Sequence, residues 1–416
     1  MENKIIEKDK YYQDIMSNLK DYDVCINLSV NGPGESKYSH EAKLLVLYFD
    51  KLINYKYVKK EINNLGQGLQ ITYYINGLSA QEVKAEMIKL EDNHPLGRFV
   101  DIDVFEKNNR VSLSRNSLRK CYLCDKPAFV CQRNQEHELI DLEIYFKKEI
   151  LNYFGEVISK TIKESILLEL NLDPKFGLVT PYSNGSHNDM NYQLMILASE
   201  AIIPYLREMF KAAVRIDNPY ELIINNQVIG KLAEEQMLRT TNNVNCYKGL
   251  IYNLGLIITA STYALVNLQS FDYTYIVAKE MSKQTFQNNN LDTFGQKVYK
   301  TYNFGGIRSE AMSGYPSIKQ VLSELTDFSD KKLIKTLVKL ITITNDSVLL
   351  KRSKSIEKMD LVIQKFKLLN LHNQEEVKLL TNYCIQNNLS FGGSADLLIT
   401  SIYLKKLLNK FSFIEK

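Results

Sequence analysis

Residues 249–271 read GLIYNLGLIITASTYALVNLQSF, a run without a single charged side chain. A run this long either crosses a membrane or forms the buried centre of a helical domain, since about 20 apolar residues span a bilayer. Asn253, Thr259, Ser261, Thr262, Asn267 and Gln269 are scattered along it. That scatter points to the central helix of a bundle, packed on most sides by other helices. Helical periodicity surrounds it in EVISKTIKESILLEL, QLMILASEAIIPYLREMF, LIKTLVKLITI and EEVKLLTNYCI. Upstream of residue 150 the pattern differs. Strand-like runs DVCINLSV, LQITYYIN and RFVDIDVF alternate there with helical stretches. The expectation is a multi-domain chain: a small α/β or α+β domain over 1–150, then an all-α bundle over 151–416, each burying its own core. The junction LIDLEIYFKKEILNYFGEVI reads as continuous helix.

Charge narrows the function classes. With 52 basic and 48 acidic residues the net charge is +4, too mild for general nucleic-acid binding. The opening MENKIIEKDKYYQDI is charged and shows no secretory h-region, and there are only six cysteines. Both features suggest a reducing, cytoplasmic location without a disulfide framework.

Several clusters in the first part can carry chemistry. Asp101 and Asp103 stand two apart in a strand pattern, so both carboxylates point the same way and can hold Mg²⁺ against a phosphate. Such pairs also occur as plain solvated strand faces. Cys121, Cys124, Cys131 and His137 supply four soft ligands of the kind that closes a zinc site, although buried cysteines are often only small apolar groups. Arg115, Arg119 and Arg133 surround that segment and can grip phosphates or form salt bridges. The turn VNGPGESK, with Lys37, can turn backbone N–H groups toward an anion.

The second part holds three glycine-punctuated polar segments. PKFGLVTPYSNGSHNDM carries Lys175, Gly177, Asn184, Gly185, His187 and Asp189. FGGIRSEAMSGYPS carries Gly305, Gly306, Arg308 and Glu310, and SFGGSADL carries Gly392, Gly393, Ser394 and Asp396. A glycine pair before a helix start suits a phosphate, and Ser or Asp there also serves as an ordinary cap. Three such segments predict one shared cleft at the start of the buried helix. Glu234, Asn245 and Lys248 precede that helix, and Asp346 and Arg352 lie in NDSVLLKR. No P-loop pattern is present.

These motifs, in this order, resemble a known family. LLELNLDPKFGLV, NGSHNDM, AEEQM, GGIRSEAMSGYPS and GGSADLL, within 153–416, are similar to the triphosphoribosyl-dephospho-CoA synthases that make the citrate lyase prosthetic-group precursor. NGPGESK, HPLGRFVDIDV and RKCYLCDKPAFVCQRNQEH, within 20–140, resemble the citrate lyase holo-acyl-carrier-protein synthase, a nucleotidyltransferase-like enzyme. The chain departs from the first family at Phe176, where Pro is usual, at Cys246-Tyr247, where Thr-His is usual, and at Ser353-Lys354, where two glycines are usual.

The resemblance implies two consecutive transfers on one chain. ATP and 3′-dephospho-CoA would be joined with release of adenine. Phosphoribosyl-dephospho-CoA would then go to a serine of the acyl-carrier (γ) subunit of citrate lyase with release of pyrophosphate. It further implies substrate contacts at Lys37, Arg98, Arg115, Arg119, Glu169, Lys175, Lys248, Arg308 and the glycine segments. Mg²⁺ is implied, with Asp189, Glu310 and Asp396 as metal ligands or base and His187 as a partner of ribose or the leaving base. The rival readings are a non-catalytic nucleotide- or CoA-binding regulator, the equivalent reactions for malonate decarboxylase, and a zinc-dependent nucleic-acid binder.

Overall fold

The computed structural model describes residues 2–66, 68–109, 111–115, 118–287 and 306–415. Four strands, β1 (Val24–Val30), β2 (Lys59–Leu65), β3 (Gly68–Ile75) and β4 (Val100–Glu106), form one sheet in the order β2-β3-β1-β4. Every pairing is antiparallel, which makes the region α+β rather than α/β. Alternation along β4 buries Val100, Ile102 and Val104 in the main core and turns Asp101 and Asp103 to the other face. There Asp103 stands opposite Asn27 and Asp101 opposite Ser29. Helix Glu2–Asn18 covers part of that second face, packing Tyr11 and Ile15 with Cys25, Tyr74 and Phe105.

Helix Leu139–Leu170 runs through residue 150 without a break, as the junction sequence predicts. The helical part then includes Tyr192–Arg215, Pro219–Thr240, Lys248–Val266 and Tyr273–Gln287, and it closes with Gly392–Lys410. Helix Lys248–Val266 is long and apolar enough to cross a membrane, yet 15 of its 19 residues are buried inside the protein. Its polar groups have neighbours on other helices. Asn253 Nδ2 donates to Thr400 Oγ1 at 2.9 Å, and Asn226 Nδ2 donates to Thr259 Oγ1 at 2.5 Å. Burial next to such partners explains why polar side chains interrupt the run.

The two parts do not bury separate cores. Helix His40–Leu52 carries four consecutive buried residues, Leu44 to Leu47. One amphipathic face cannot bury four in a row; the helix must be covered on opposite sides. The sheet lies on one side and the helical part on the other. The Tyr48 ring sits 5.1 Å from Phe154 and 5.5 Å from Phe411, Ser412 N donates to Leu47 O at 3.0 Å, and His40 Nδ1 lies 3.0 Å from Val214 O. The result is a single hydrophobic core shared by sheet and bundle.

Candidate active sites

The first site is a cavity of about 410 Å³ at the N-terminal end of helix Lys248–Val266. Lys248, Arg308, Gly392, Gly393 and Asp396 line it, together with Glu169, Lys175, His187, Glu234 and Asn245. All three glycine-punctuated segments therefore reach the head of the central helix. Close backbone approach is built in. A Cβ on Gly249 would lie 2.3 Å from Asp396 Oδ2, so only glycine lets that carboxyl sit against the helix start.

Charge in this cavity is largely withdrawn from solvent. Burial pushes the Asp396 carboxyl well above the usual carboxylate range, and Asp346 and Glu169 add like-charge repulsion. Lys175, 1% exposed, pairs with buried Glu169 at 3.0 Å and also donates to the Glu169 carbonyl at 2.9 Å. Burial lowers the Lys175 ammonium pKa, and Glu169 opposes that shift. Lys248 pairs with Glu234, and the Arg308 guanidinium lies 5.7 Å from the Tyr252 ring centre.

His187 is neutral. Arg352 Nη2 donates to its Nδ1 at 3.0 Å, which leaves Nε2–H to donate to Ser390 Oγ at 3.0 Å. Burial first, and then the Arg352 charge, push the imidazole down to about 4. Asp189 stands beside it, 3.9 Å from Nδ1, with its carboxylate exposed and outside the cavity lining.

Several expected contacts belong to the scaffold. Glu310 is buried and accepts from Ser317 N at 2.6 Å, capping helix Pro316–Leu322 rather than facing the cavity. Asp346 caps helix Ser347–Ser353 and accepts from Ser394 N at 2.8 Å and Ser394 Oγ at 3.1 Å, so that pair forms a clamp behind Gly393. Arg352 lies off the cavity and donates to Ser186 O at 2.7 Å and Asn388 O at 3.1 Å. Gly177 and Gly185, at φ +84° and +58°, fold the 174–190 loop onto itself, with Ser186 N donating to Gly177 O and His187 N to Asn184 O. Gly177, Asn184 and Gly185 place His187 and do not line the cavity. Gly306 packs against Ser347, away from the lining, and Gly305 falls outside the described residues.

The departures from the family pattern have local accounts. Lys354 takes φ +64° where glycine is usual, and Phe176, at φ +49°, is buried against Phe366. Tyr247 lines the cavity in the place of the usual histidine. Its hydroxyl and Gln227 Nε2, another lining group, are buried with no hydrogen-bond partner among the described residues. Sequence reasoning missed both as candidate ligand contacts. Tyr247 had a signal, its place between Asn245 and Lys248, whereas Gln227 sits in an ordinary helical stretch.

The second site is a cleft of about 1100 Å³ at one end of the sheet. Asn31, Gly32 and Gly34 of the glycine turn line it with Arg98, Asp101, Arg115 and Arg119. The organising group is Glu91, also missed from sequence. It is buried, accepts from Ile102 N at 2.9 Å, and pairs with Arg119 at 3.0 Å and Arg115 at 3.4 Å. Arg119 also reaches Asp101 at 3.1 Å. Burial raises the Glu91 carboxyl, and the Arg119 guanidinium is the main opposing influence. Asp103 shares the face of Asp101 but does not reach the cleft, and burial followed by Asp101 raises its carboxyl. Lys37 lies off the cleft, its ammonium 5.2 Å from the Tyr38 ring centre. Cys121, Cys131 and His137 also line the cleft, and the ligand atoms of Cys121, Cys124, Cys131 and His137 all lie within 4.8 Å of one another.

Comparison with known proteins separates the same two regions. Residues 155–414 match the family described as ATP:dephospho-CoA triphosphoribosyl transferase, and residues 3–153 match the apo-citrate lyase phosphoribosyl-dephospho-CoA transferase family. Protein CitXG of Leuconostoc mesenteroides subsp. cremoris is 30% identical, over 96% of this chain and 95% of its own length. Protein CitXG of Haemophilus influenzae is 29% identical over 84% and 82%. A probable 2-(5''-triphosphoribosyl)-3'-dephosphocoenzyme-A synthase of Lactiplantibacillus plantarum is 30% identical over 60% of this chain and 96% of its own. With one family over its first part and the other over its second, in the order of the motifs, the chain belongs to the fused citrate lyase phosphoribosyl-dephospho-CoA transferase and triphosphoribosyl-dephospho-CoA synthase family.

Proposed function

We propose that the 410 Å³ cavity joins ATP to 3′-dephospho-CoA with loss of adenine, and that the sheet-end cleft passes phosphoribosyl-dephospho-CoA to a serine of the citrate lyase acyl-carrier (γ) subunit with loss of pyrophosphate. The observation that carries the first assignment is Asp396. It is a carboxyl that burial raises well above the usual range, in a cavity also lined by Arg308, Lys248 and Gly392 and Gly393 at the start of helix Gly392–Lys410. The cations and the helix start take the triphosphate. As the bond from the anomeric carbon to adenine breaks, Asp396 gives its proton to the departing base. As the 2′-hydroxyl oxygen bonds to that carbon, the resulting carboxylate recovers a proton from the hydroxyl. The step is proton-neutral and uses one carboxyl as acid and then as base. Tyr247 and Gln227 offer their unpartnered polar atoms to the ribose or the nucleobase. His187, already engaged on both nitrogens, holds the wall rather than the proton.

In the sheet-end cleft, Arg98, Arg115 and Arg119 grip the phosphates and the glycine turn closes over them. The nucleotidyltransferase-like reading rests on paired strand carboxylates at the end of an antiparallel sheet. Asp101, which lines the cleft, would hold Mg²⁺ there, with Asp103 behind it on the same strand face. Burial first, and then the Asp101 charge, raise the Asp103 carboxyl, and a nearby cation would relieve the second of these. Mg²⁺ when bound offsets charge on the reacting phosphates. The Cys/His cluster fits a structural zinc ion. Retention of the charged lining in both clefts speaks against a purely regulatory role, and the citrate lyase transferase match speaks against malonate decarboxylase.

The test is direct. Purified chain with ATP, Mg²⁺ and dephospho-CoA should release free adenine, and adding apo-carrier protein should yield a carrier heavier by one prosthetic group. Absence of adenine while a supplied precursor is still attached would remove the first assignment and leave the second.

A further inference from the structure

We infer that a zinc ion held by Cys121, Cys124, Cys131 and His137 fixes one wall of the sheet-end cleft, and so controls attachment to the carrier protein without affecting adenine release. The inference rests on the two-site reading and on the zinc fit given above.

Residues 118–137 have a defined shape but bury little apolar surface of their own. Lys120 bridges to Pro127, Cys121 N donates to Lys126 O at 2.8 Å, and Ala128 N donates to Arg119 O at 2.8 Å, giving a tight hairpin. Helix Ala128–Asn134 follows, then Gln135 in the left-handed region at φ +50°, and Glu136 N donates back to Cys131 O. Within this stretch only Cys121 and Cys131 are buried, while Leu118, Leu123 and Phe129 are exposed. A segment this small with no apolar core needs a staple.

The four ligand atoms supply one. Cys124 Sγ lies 3.4 Å from Cys131 Sγ and 3.3 Å from His137 Nε2. Tetrahedral ligands on zinc, with Zn–S about 2.3 Å, stand about 3.7 Å apart, whereas a disulfide needs about 2.05 Å. The cysteines are all free thiols. Three thiols and an imidazole form a structural zinc set rather than one suited to a hard cation.

The hairpin is tied to the cleft by direct bonds. Arg98 Nη2 donates to the carbonyls of Lys120, at 2.9 Å, and Cys121, and its guanidinium lies 4.7 Å from the Tyr122 ring centre. Tyr122 Oη donates to the carbonyl of Asn31, in the glycine turn. Arg119 leads into the first arm of the hairpin and donates to Val100 O at 3.1 Å. The metal is thus one bonded step from Arg98, Arg119 and the turn that form the phosphate grip, and far in the chain from the helical cavity.

Full-length protein purified without chelator should contain one zinc per chain, with an absorption spectrum fitting three sulfurs at about 2.3 Å and one nitrogen at about 2.0–2.1 Å. Removing the metal, or making Cys124→Ser, should lower attachment of a supplied precursor by about tenfold or more while adenine release stays within about twofold. Metal-free protein should also gain tryptic cuts at Lys120 or Arg133. His137→Cys, which keeps four ligands, should keep zinc and attachment, and Cys384→Ala should keep zinc. Zinc-free protein with a Cys124–Cys131 disulfide overturns the metal itself. Zinc that can be removed with no change in attachment or tryptic pattern overturns the control of the cleft and leaves the zinc reading standing. Loss of both activities together overturns the selectivity, and zinc-loaded protein with neither activity overturns the two-site reading instead.

Discussion

The two clefts treat charge in opposite ways. At the sheet end, Asp101, Arg98, Arg115 and Arg119 line a larger cleft of about 1100 Å³, and Asp101 is half-exposed. At the head of the central helix, Glu169 and Lys175 are buried and Asp396 is partly covered around a cavity of about 410 Å³, and burial raises the Asp396 carboxyl. The difference follows the chemistry. Attachment to a protein serine needs room for a macromolecule and a grip on phosphates, which arginines supply even when partly wet. Exchange of a nucleobase for a hydroxyl needs a proton given and taken back, and a carboxyl does that near neutral pH only when burial lifts it out of its normal range.

The sharpest way to break the contrast is Asp396→Asn. Adenine release should fall about 10²- to 10⁴-fold, the range for loss of a general acid–base group, with attachment of supplied precursor unchanged. Wild-type adenine release should also decline as pH rises through the raised Asp396 titration, a limb absent from the variant. The sign for stability is the same. A carboxyl raised in the folded state contributes stability below its unfolded pKa and loses it as pH rises through the folded one, so the variant should be less sensitive to alkali. Equal loss of both activities would dissolve the distinction between the clefts. The mirror experiment is Asp101→Asn, with attachment down about 10²-fold and adenine release intact. Asp101 is only half-buried, so folding stability should move by no more than about 0.5 kcal/mol. Gly249→Ala should give a smaller effect confined to the helical cavity. Its Cβ would press on Asp396 Oδ2, costing about 1–3 kcal/mol of stability and slowing adenine release alone.

Much of this was legible because helix starts and glycine pairs have strong local signatures. Gly392-Gly393 before a helix, Arg308 after a glycine pair, and Lys248 at the head of an uncharged run all announce a convergence that the fold delivers. What could not be read depends on distant neighbours. Glu91 looks like any helix carboxylate until the strand carrying Ile102 and the arginines at 115 and 119 surround it. Asp346 and Glu310 have the right charge in the right segments, yet both are spent on backbone N–H groups. Short polar residues near helix starts serve caps and ligands alike, and only the direction of the side chain separates the two uses. The shared core was hidden for a related reason. LLVL in helix His40–Leu52 reads as excess hydrophobicity until there is an element on each side of it.

His187 gives the smallest effect and the finest discrimination between proton carrier and brace. If Asp396 moves the proton, His187→Gln should slow adenine release by less than about tenfold, an order of magnitude or more short of the Asp396→Asn loss. The substitution keeps a donor and an acceptor, although it breaks the geometry toward Ser390 and Arg352. Stability carries a second signature. The imidazole titrates at about 4 when folded, while an unfolded histidine titrates near 6.5, so the unfolded chain binds the extra proton between those values. Wild-type protein should therefore lose up to about 3 kcal/mol through this residue as pH falls from about 6.5 to about 4, and none above that window. Denaturant melts of His187→Gln across the same range should be flatter. If the variant instead matched Asp396→Asn in rate while its melts flattened as expected, His187 would be the proton carrier, and the raised carboxyl would lose the role that sets this cavity apart from the arginine-lined cleft.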